Sequence, residues 1–153
     1  MLGNNNMKPS LSFKKIWEDE DMVELAIEFN DEFSKFHCNT YVAHDYLTEI
    51  SEQLNAFKEQ VYGGLYDLRF GEFGPEYANG AFHARFEFHN SGNGKLFITA
   101  KGESEWEEFT HTKVASNSIL YLKTEPALLD NWLKSLHALS QQQNNEANLE
   151  CIL

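Results

Sequence analysis

Hydrophobic and polar residues alternate along several short stretches of the chain, which is the pattern of β-strands with one buried face. The clearest stretch is 82–89, where three phenylalanines and an alanine share one parity and two histidines, an arginine and a glutamate share the other. Similar alternation marks 23–29, 33–42 and 96–101. We predict that 82–89 is the central strand of an antiparallel sheet and that its phenylalanines lie in the core.

Two other stretches have the period of an α-helix, with apolar residues three and four positions apart. The apolar stripes are Leu47, Ile50, Leu54, Phe57 and Val61 in the first and Leu129, Trp132, Leu133, Leu136 and Leu139 in the second. Pro126 fits the first turn of the second helix, where a missing N–H leaves no hydrogen bond unmade. We therefore predict two amphipathic helices.

The predicted elements follow the order β-β-β-α-β-β-β-β-α. This order predicts an α+β fold with a mainly antiparallel sheet of about six to seven strands and two helices packed on one face. We assign residues 11–140 to a single α+β domain, residues 1–10 to a disordered N-terminal lead, and residues 141–153 to a polar C-terminal tail.

The charge balance narrows the class of partner. Of the 153 residues, 24 are acidic and 12 are basic, which gives a net charge of −12. Nucleic acids and anionic membranes are bound through Lys and Arg, so this balance disfavours both. It favours a basic protein partner, because an acidic surface accelerates the approach of a basic one.

Several features predict a soluble, cytoplasmic protein. The first residues lack the basic and apolar blocks of a signal peptide, and no apolar run approaches the ~18 residues of a membrane helix. The two cysteines, Cys38 and Cys151, have neither metal-site nor redox spacing. A disulfide between them is not expected, which fits a reducing compartment.

The polar parity of the 82–89 stretch carries the first candidates for catalysis. These are His83, Arg85, Glu87 and His89. A His–Glu pair could act as general acid and base, because imidazole titrates near neutral pH. Neighbouring positions on this face are about 6.5–7 Å apart, however, which spreads the side chains along a ladder. The alternative, which we favour, is a solvated face with cross-strand charge pairs to Lys101 or Asp67.

The remaining sequence contains no complete catalytic or metal motif. The six histidines lack the local spacings of zinc sites, and the glycine pairs lack the Lys-Ser/Thr sequel of a phosphate loop. The chain also has no Gly-x-Ser-x-Gly elbow. We expect neither a metal nor a cofactor.

Two acidic clusters are the stronger candidates for a functional surface. One cluster lies at 18–21 and the other at 103–109. The cluster at 103–109 is interleaved with large aromatic residues. Such a surface attracts a basic partner by charge and anchors it by aromatic contact. The alternative is a solvated loop whose aromatic side chains fold inward. The predicted partner-binding residues are Glu103, Glu105, Trp106, Glu107, Glu108 and Phe109, followed by Glu18, Asp19, Glu20 and Asp21.

Three motifs occur together in this chain. They are Trp17-Glu18-Asp19-Glu20-Asp21-Met22, Phe73-Gly74-Pro75-Glu76-Tyr77, and Thr124-Glu125-Pro126-Ala127 followed by a leucine-rich helix. The ensemble resembles a family of small, mostly uncharacterised bacterial proteins that includes immunity proteins of the WapI (wall-associated protein) type. The similarity covers about residues 11–140, and the segment 106–117 is longer than the family pattern. The resemblance implies a non-enzymatic protein that neutralises a cognate toxin domain, and it assigns no catalytic residue.

Three functional hypotheses follow. The first is an acidic binding protein, an immunity protein that occludes a basic toxin domain, such as a nuclease, by placing carboxylates in its cationic groove. The second is a small enzyme that uses the polar face of the 82–89 strand. The third is a cytosolic homodimer joined through exposed aromatic residues such as Phe97 and Tyr121.

Overall fold

The computed structural model of the chain describes residues 8–76, 79–89 and 94–153. The elements are β1 (Ser10–Glu18), β2 (Met22–Asn30), β3 (Lys35–Ala43), α1 (His44–Phe57), β4 (Leu65–Phe70), β5 (Ala81–Phe88), β6 (Leu96–Glu103), β7 (Glu107–Phe109), β8 (Thr112–Val114), β9 (Asn117–Thr124), α2 (Pro126–Ser140) and β10 (Glu146–Glu150). The predicted disordered lead falls largely outside the described residues, at 1–7, and so does Tyr77 of the second motif.

The strands form two antiparallel sheets of four, which confirms the α+β fold and changes the predicted sheet. The first sheet has the order β10-β1-β2-β3, the second has the order β4-β5-β6-β9, and β7 and β8 pair separately. The division falls at α1, since this helix carries the chain from β3 to β4 and prevents the two strands from joining by a hairpin. Within its sheet, β5 is an interior strand, between β4 and β6.

The apolar face of β5 lies in the core, as predicted. Phe82, Ala84, Phe86 and Phe88 are all buried, whereas the alternating polar positions are at least partly exposed. Because the strand is pleated, alternate side chains point into the core and the side chains between them point outward. The local pattern alone therefore predicts the inside of this sheet correctly.

Phe13 of β1 joins the two sheets and a helix. Its ring centroid lies 5.4 Å from that of Phe70 and 5.8 Å from that of Phe82, both in the second sheet. It lies 5.7 Å from Trp132 of α2, again edge to face. Trp132 in turn stacks on Phe86, with 24° between the ring planes. One aromatic cluster thus forms the common core.

Both predicted helices bury their apolar stripes. The buried members are Leu47, Ile50, Leu54 and Phe57 in α1, and Leu129, Trp132, Leu133, Leu136 and Leu139 in α2. Phe57 stacks on Phe88 at 5.0 Å, so α1 packs on the second sheet. The helix ends at Phe57, and Val61 lies beyond it, only partly buried.

The segment predicted to be a polar tail contains a strand. Residues Glu146–Glu150 form β10, which pairs with β1 in the first sheet. Ala147 and Leu149 are fully buried, and the alternating residues Glu146, Asn148 and Glu150 are exposed. An alternation over only five residues is a weak sequence signal. In the structure β10 completes the hydrogen bonding of β1, which would otherwise be an edge strand.

Neither of the helices in the described part of the chain has the length and apolar character that a membrane crossing requires. Cys38 and Cys151 are free and buried, and burial raises the pKa of each thiol to about 12. The reactive thiolate is therefore suppressed at neutral pH.

We expect Trp132→Ala to lower the free energy of unfolding by about 3–5 kcal/mol, because it leaves a cavity where α2 meets both sheets. Trp17→Ala is the matched control: Trp17 is 46% exposed and, among the aromatic side chains that the structure describes, packs against the half-exposed Tyr41, so a loss of about 1 kcal/mol is expected. Urea unfolding followed by circular dichroism measures both. Equal losses would show that the cluster is not the shared core.

Candidate functional site

The predicted partner-binding segment forms a β-hairpin that extends from β6 and β9. These strands pair continuously from Leu96↔Thr124 to Glu103↔Asn117. The pairing continues where the N–H of Ser104 donates to the carbonyl of Ser116 at 2.8 Å. The short strands β7 and β8 then pair from Glu107↔Val114 to Phe109↔Thr112. We call residues 104–116 the arm.

The outer part of the arm, residues 107–114, is exposed to solvent. Every residue of β7 and β8 is exposed, including Phe109, whose surface is 64% accessible. Glu105, Glu107 and Glu108 are exposed as well. Neither of the two small strands buries an apolar face, so packing does not explain why Phe109 is there.

Two of the predicted binding residues instead hold the base of the arm. The indole N–H of Trp106 donates to the Glu103 carboxylate at 2.9 Å, and the same oxygen accepts the N–H of Gly74, also at 2.9 Å. A half-buried indole needs an acceptor, and a carboxylate at the end of β6 supplies it. Glu103 and Trp106 therefore orient the arm, which leaves Glu105, Glu107, Glu108 and Phe109 available to a partner.

The other acidic cluster forms the turn between β1 and β2. The Asp19 carboxylate accepts the N–H groups of Asp21 and Met22 at 2.9 and 2.8 Å, which lowers the pKa of Asp19. Glu18 pairs with Lys15 at 2.8 Å. These two acids stabilise the turn, and Glu20 and Asp21 project from it.

The two acidic clusters act as separate surfaces. No hydrogen bond or ion pair between described residues joins the β1–β2 turn to the arm. The contacts of the turn go to neighbouring residues and to His44, whose Nε2 lies 2.9 Å from the carbonyl oxygen of Asp19. The arm is linked to Gly74 through the Glu103 carboxylate, which accepts hydrogen bonds from both Trp106 and Gly74.

The polar face of the second sheet is organised around Asp67 of β4. Its carboxylate accepts two hydrogen bonds from Arg85, at 3.0 and 3.1 Å, and lies 2.8 Å from Nε2 of His83. The Arg85 guanidinium, followed by His83, lowers the pKa of Asp67 to about 2 although partial burial opposes this shift. This is the cross-strand pairing favoured above, with Asp67 directly opposite Arg85.

The four residues of the alternative active-site face, His83, Arg85, Glu87 and His89, are spread along β5 and the position after it. His83 and Glu87 lie on either side of Arg85 in β5, and each faces a different cross-strand neighbour. His89 follows β5, with its ring 6.0 Å from that of Phe97. An open depression of about 610 Å³ lies beside Glu87 and His89, and it is not lined by His83.

The arrangement has limited chemical capability. Asp67 could orient His83 as a base, but the other contacts of the Asp67 carboxylate bind it to Arg85. The part of the chain that the structure describes contains no cluster of three His, Cys, Asp or Glu residues able to hold a metal. The enzyme hypothesis stays a prediction.

Asp67→Asn tests the role of the ion pair. Since folding lowers the pKa of Asp67, the stabilisation is complete above the ordinary carboxyl pKa and is lost as the pH falls through about 2. We expect the variant to lose about 1 kcal/mol at pH 7, given partial solvent screening. The difference from the native chain should shrink as the pH falls from about 4 to about 2.

Urea unfolding across that pH range measures the effect. Glu87→Gln is the control, because Glu87 lies on the polar face of β5. The free energy of unfolding of this variant should stay close to that of the native chain across the pH range. A loss for Asp67→Asn that does not change with pH would contradict an ion-pair origin.

The sequence motifs lie in well-defined places. The first forms the end of β1 and the following turn, and the third leads from β9 into α2. Compared with known proteins, the chain matches no family model, no curated protein and no solved structure.

Proposed function

We propose that this protein is a non-enzymatic binding protein, which captures a basic protein partner through the arm and neutralises it as an immunity protein neutralises a toxin domain. The observation that carries the proposal is the exposure of Phe109 among Glu105, Glu107 and Glu108 on a projecting hairpin. Solvent-exposed aromatic and acidic side chains in this proportion fit an interface better than a loop whose aromatics fold inward.

The charge of the arm supports a basic partner. It carries three glutamates, with Lys113 and His111 as its basic side chains, and Lys113 lies opposite Glu108 in the hairpin. Glu105 and Glu107 have no such counter-charge in the hairpin register. With a net charge of −12 on the whole chain, the field around the arm attracts cationic surfaces over about a Debye length.

Phe109 supplies an apolar contact area, which the charged side chains of the arm lack. Burying an exposed aromatic ring at the centre of an interface contributes about 1.5–3 kcal/mol and slows dissociation. The acids around it would remain at the rim, where they guide association. The arm thus combines an anchor with a steering field in fewer than twenty residues.

Neutralisation would occur by occlusion. A cationic groove that binds phosphate accepts carboxylates in the same positions, so an arm seated there excludes the substrate. We place this activity in the cytoplasm, and the two free cysteines support a reducing compartment.

The test uses the protein encoded immediately upstream of this chain's gene. We expect Glu107→Lys/Glu108→Lys to slow its association about tenfold or more at low salt, with the difference shrinking as salt rises. Phe109→Ala should speed dissociation about tenfold. Surface plasmon resonance measures both rates, and co-expression shows whether growth is rescued.

The matched control is Glu52→Lys/Glu59→Lys, which makes the same charge change at exposed positions outside the arm. It should slow association much less than the arm variant. An equal effect of the two double variants would mean that only net charge matters. If the upstream protein does not bind the native chain, the proposal is wrong.

A further inference from the structure

The strand β9 is an edge strand of the second sheet, and the backbone groups on its unpaired side can be identified from the pairing with β6. In an antiparallel pair, successive residues direct their N–H and C=O groups alternately toward and away from the partner strand. The carbonyl of Lys123 accepts the N–H of Ile152 at 2.7 Å, on the side away from β6. By alternation, Asn117, Ile119 and Tyr121 also direct their backbone groups away from β6.

The other end of the ladder gives the same result. The N–H of Ser104 donates to the carbonyl of Ser116, so the next pair, Glu103↔Asn117, lies in the position whose backbone groups point away from each other. Nothing among the described hydrogen bonds engages the N–H or C=O of Asn117, Ile119 or Tyr121. Three consecutive outward positions of β9 thus present free donors and acceptors.

The side chains at these positions are apolar and exposed. Ile119 is 48% and Tyr121 is 71% accessible. Edge strands are ordinarily protected by charge, proline or a bulge, because free backbone groups beside apolar side chains invite another strand. The C-terminal end of β9 is closed by Ile152, whereas the stretch from Asn117 to Tyr121 is open.

Acidic groups stand at both ends of the open stretch. The arm, with its glutamates, ends directly before Asn117. At the other end, a groove of about 240 Å³ separates Tyr121 from the β2–β3 turn, which contributes Asp31, Glu32 and the 83% exposed Phe33, so that two carboxylates face the single ammonium of Lys123 in its lining. An extended segment on β9 would therefore have its ends near carboxylates and its middle over apolar side chains.

We propose that the partner contributes an extended segment, apolar in its centre and basic at its ends, which pairs with the free edge of β9 as an added strand. This inference rests on the proposed function and names the part of the partner that this surface accepts. A second copy of the chain fits less well, because it carries the same net charge of −12 and would bring like charges to both ends of the strand.

The key variant is Tyr121→Pro. Proline is tolerated on an edge strand where its N–H would face solvent, so β9 should keep its pairing with β6 while losing a donor on the free side. Tyr121→Thr is the matched control, since threonine removes the same aromatic ring but keeps the N–H and a high strand propensity. Circular dichroism and thermal unfolding check that both variants fold.

The probe is a fluorescein-labelled peptide of about nine residues, with alternating valine and threonine in the centre and two lysines at each end. We expect Tyr121→Pro to weaken its binding about tenfold or more and Tyr121→Thr by about threefold or less. A peptide N-methylated through its centre keeps its charges but cannot pair, and it should not bind. Hydrogen exchange should show new protection at the amides of Ile119 and Tyr121.

Several results would overturn the inference. One is the absence of peptide binding up to about 1 mM, and another is equal binding by the N-methylated peptide. A native dimer that Tyr121→Pro converts to a monomer in light scattering would assign the edge to a second copy. If the upstream-encoded protein binds the native chain and Tyr121→Pro equally, the inference about β9 fails while the proposed function stands. If that protein binds neither, the proposed function fails.

Discussion

The contact that the rest of the structure depends on is the edge-to-face packing of Phe13 against the second sheet and α2. In the described part of the chain no strand of one four-stranded sheet forms a ladder with a strand of the other, so the relative placement of the sheets depends on side-chain packing and on contacts such as that of the Cys38 thiol with the carbonyl of Ala81. Aromatic rings suit this role, because their edge-to-face geometry favours particular orientations. Trp132 extends the contact to α2, so helix and sheets are stabilised by one cluster.

This packing also determines where the arm leaves the fold. At Gly102, one residue before the end of β6, the ring of Phe36 comes so close that an added methyl group would lie 2.7 Å from it. The close approach brings β6 against β3, and the next residue, Glu103, then holds Trp106 and Gly74. The core thus fixes the position of Glu103 at the base of the arm. Beyond the base, β7 and β8 pair only with each other among the described strands.

Local periodicity was enough to predict the buried face of β5 and both helical stripes, because each depends on neighbours two to four residues away. The division into two sheets and the strand β10 depend on pairing between distant segments, which periodicity does not report. The arm was recognised as acidic and aromatic, but the internal use of Glu103 and Trp106 follows from a hydrogen bond that only the fold reveals. The alternation of the strands predicts Asp67 as a cross-strand partner of the polar face, but it does not predict that Asp67 contacts both Arg85 and His83.

The pairing of β1 with β10 has a consequence for how the chain folds. Leu11 lies opposite Leu149, so this sheet joins segments from nearly the two ends of the described chain. Contacts of such sequence separation form slowly, since a long loop must close before they gain anything. During synthesis β1 would remain without this neighbour until β10 has left the ribosome. The first sheet is therefore completed only after Glu150 has been translated, and until then the exposed edge of β1 is vulnerable to misassociation.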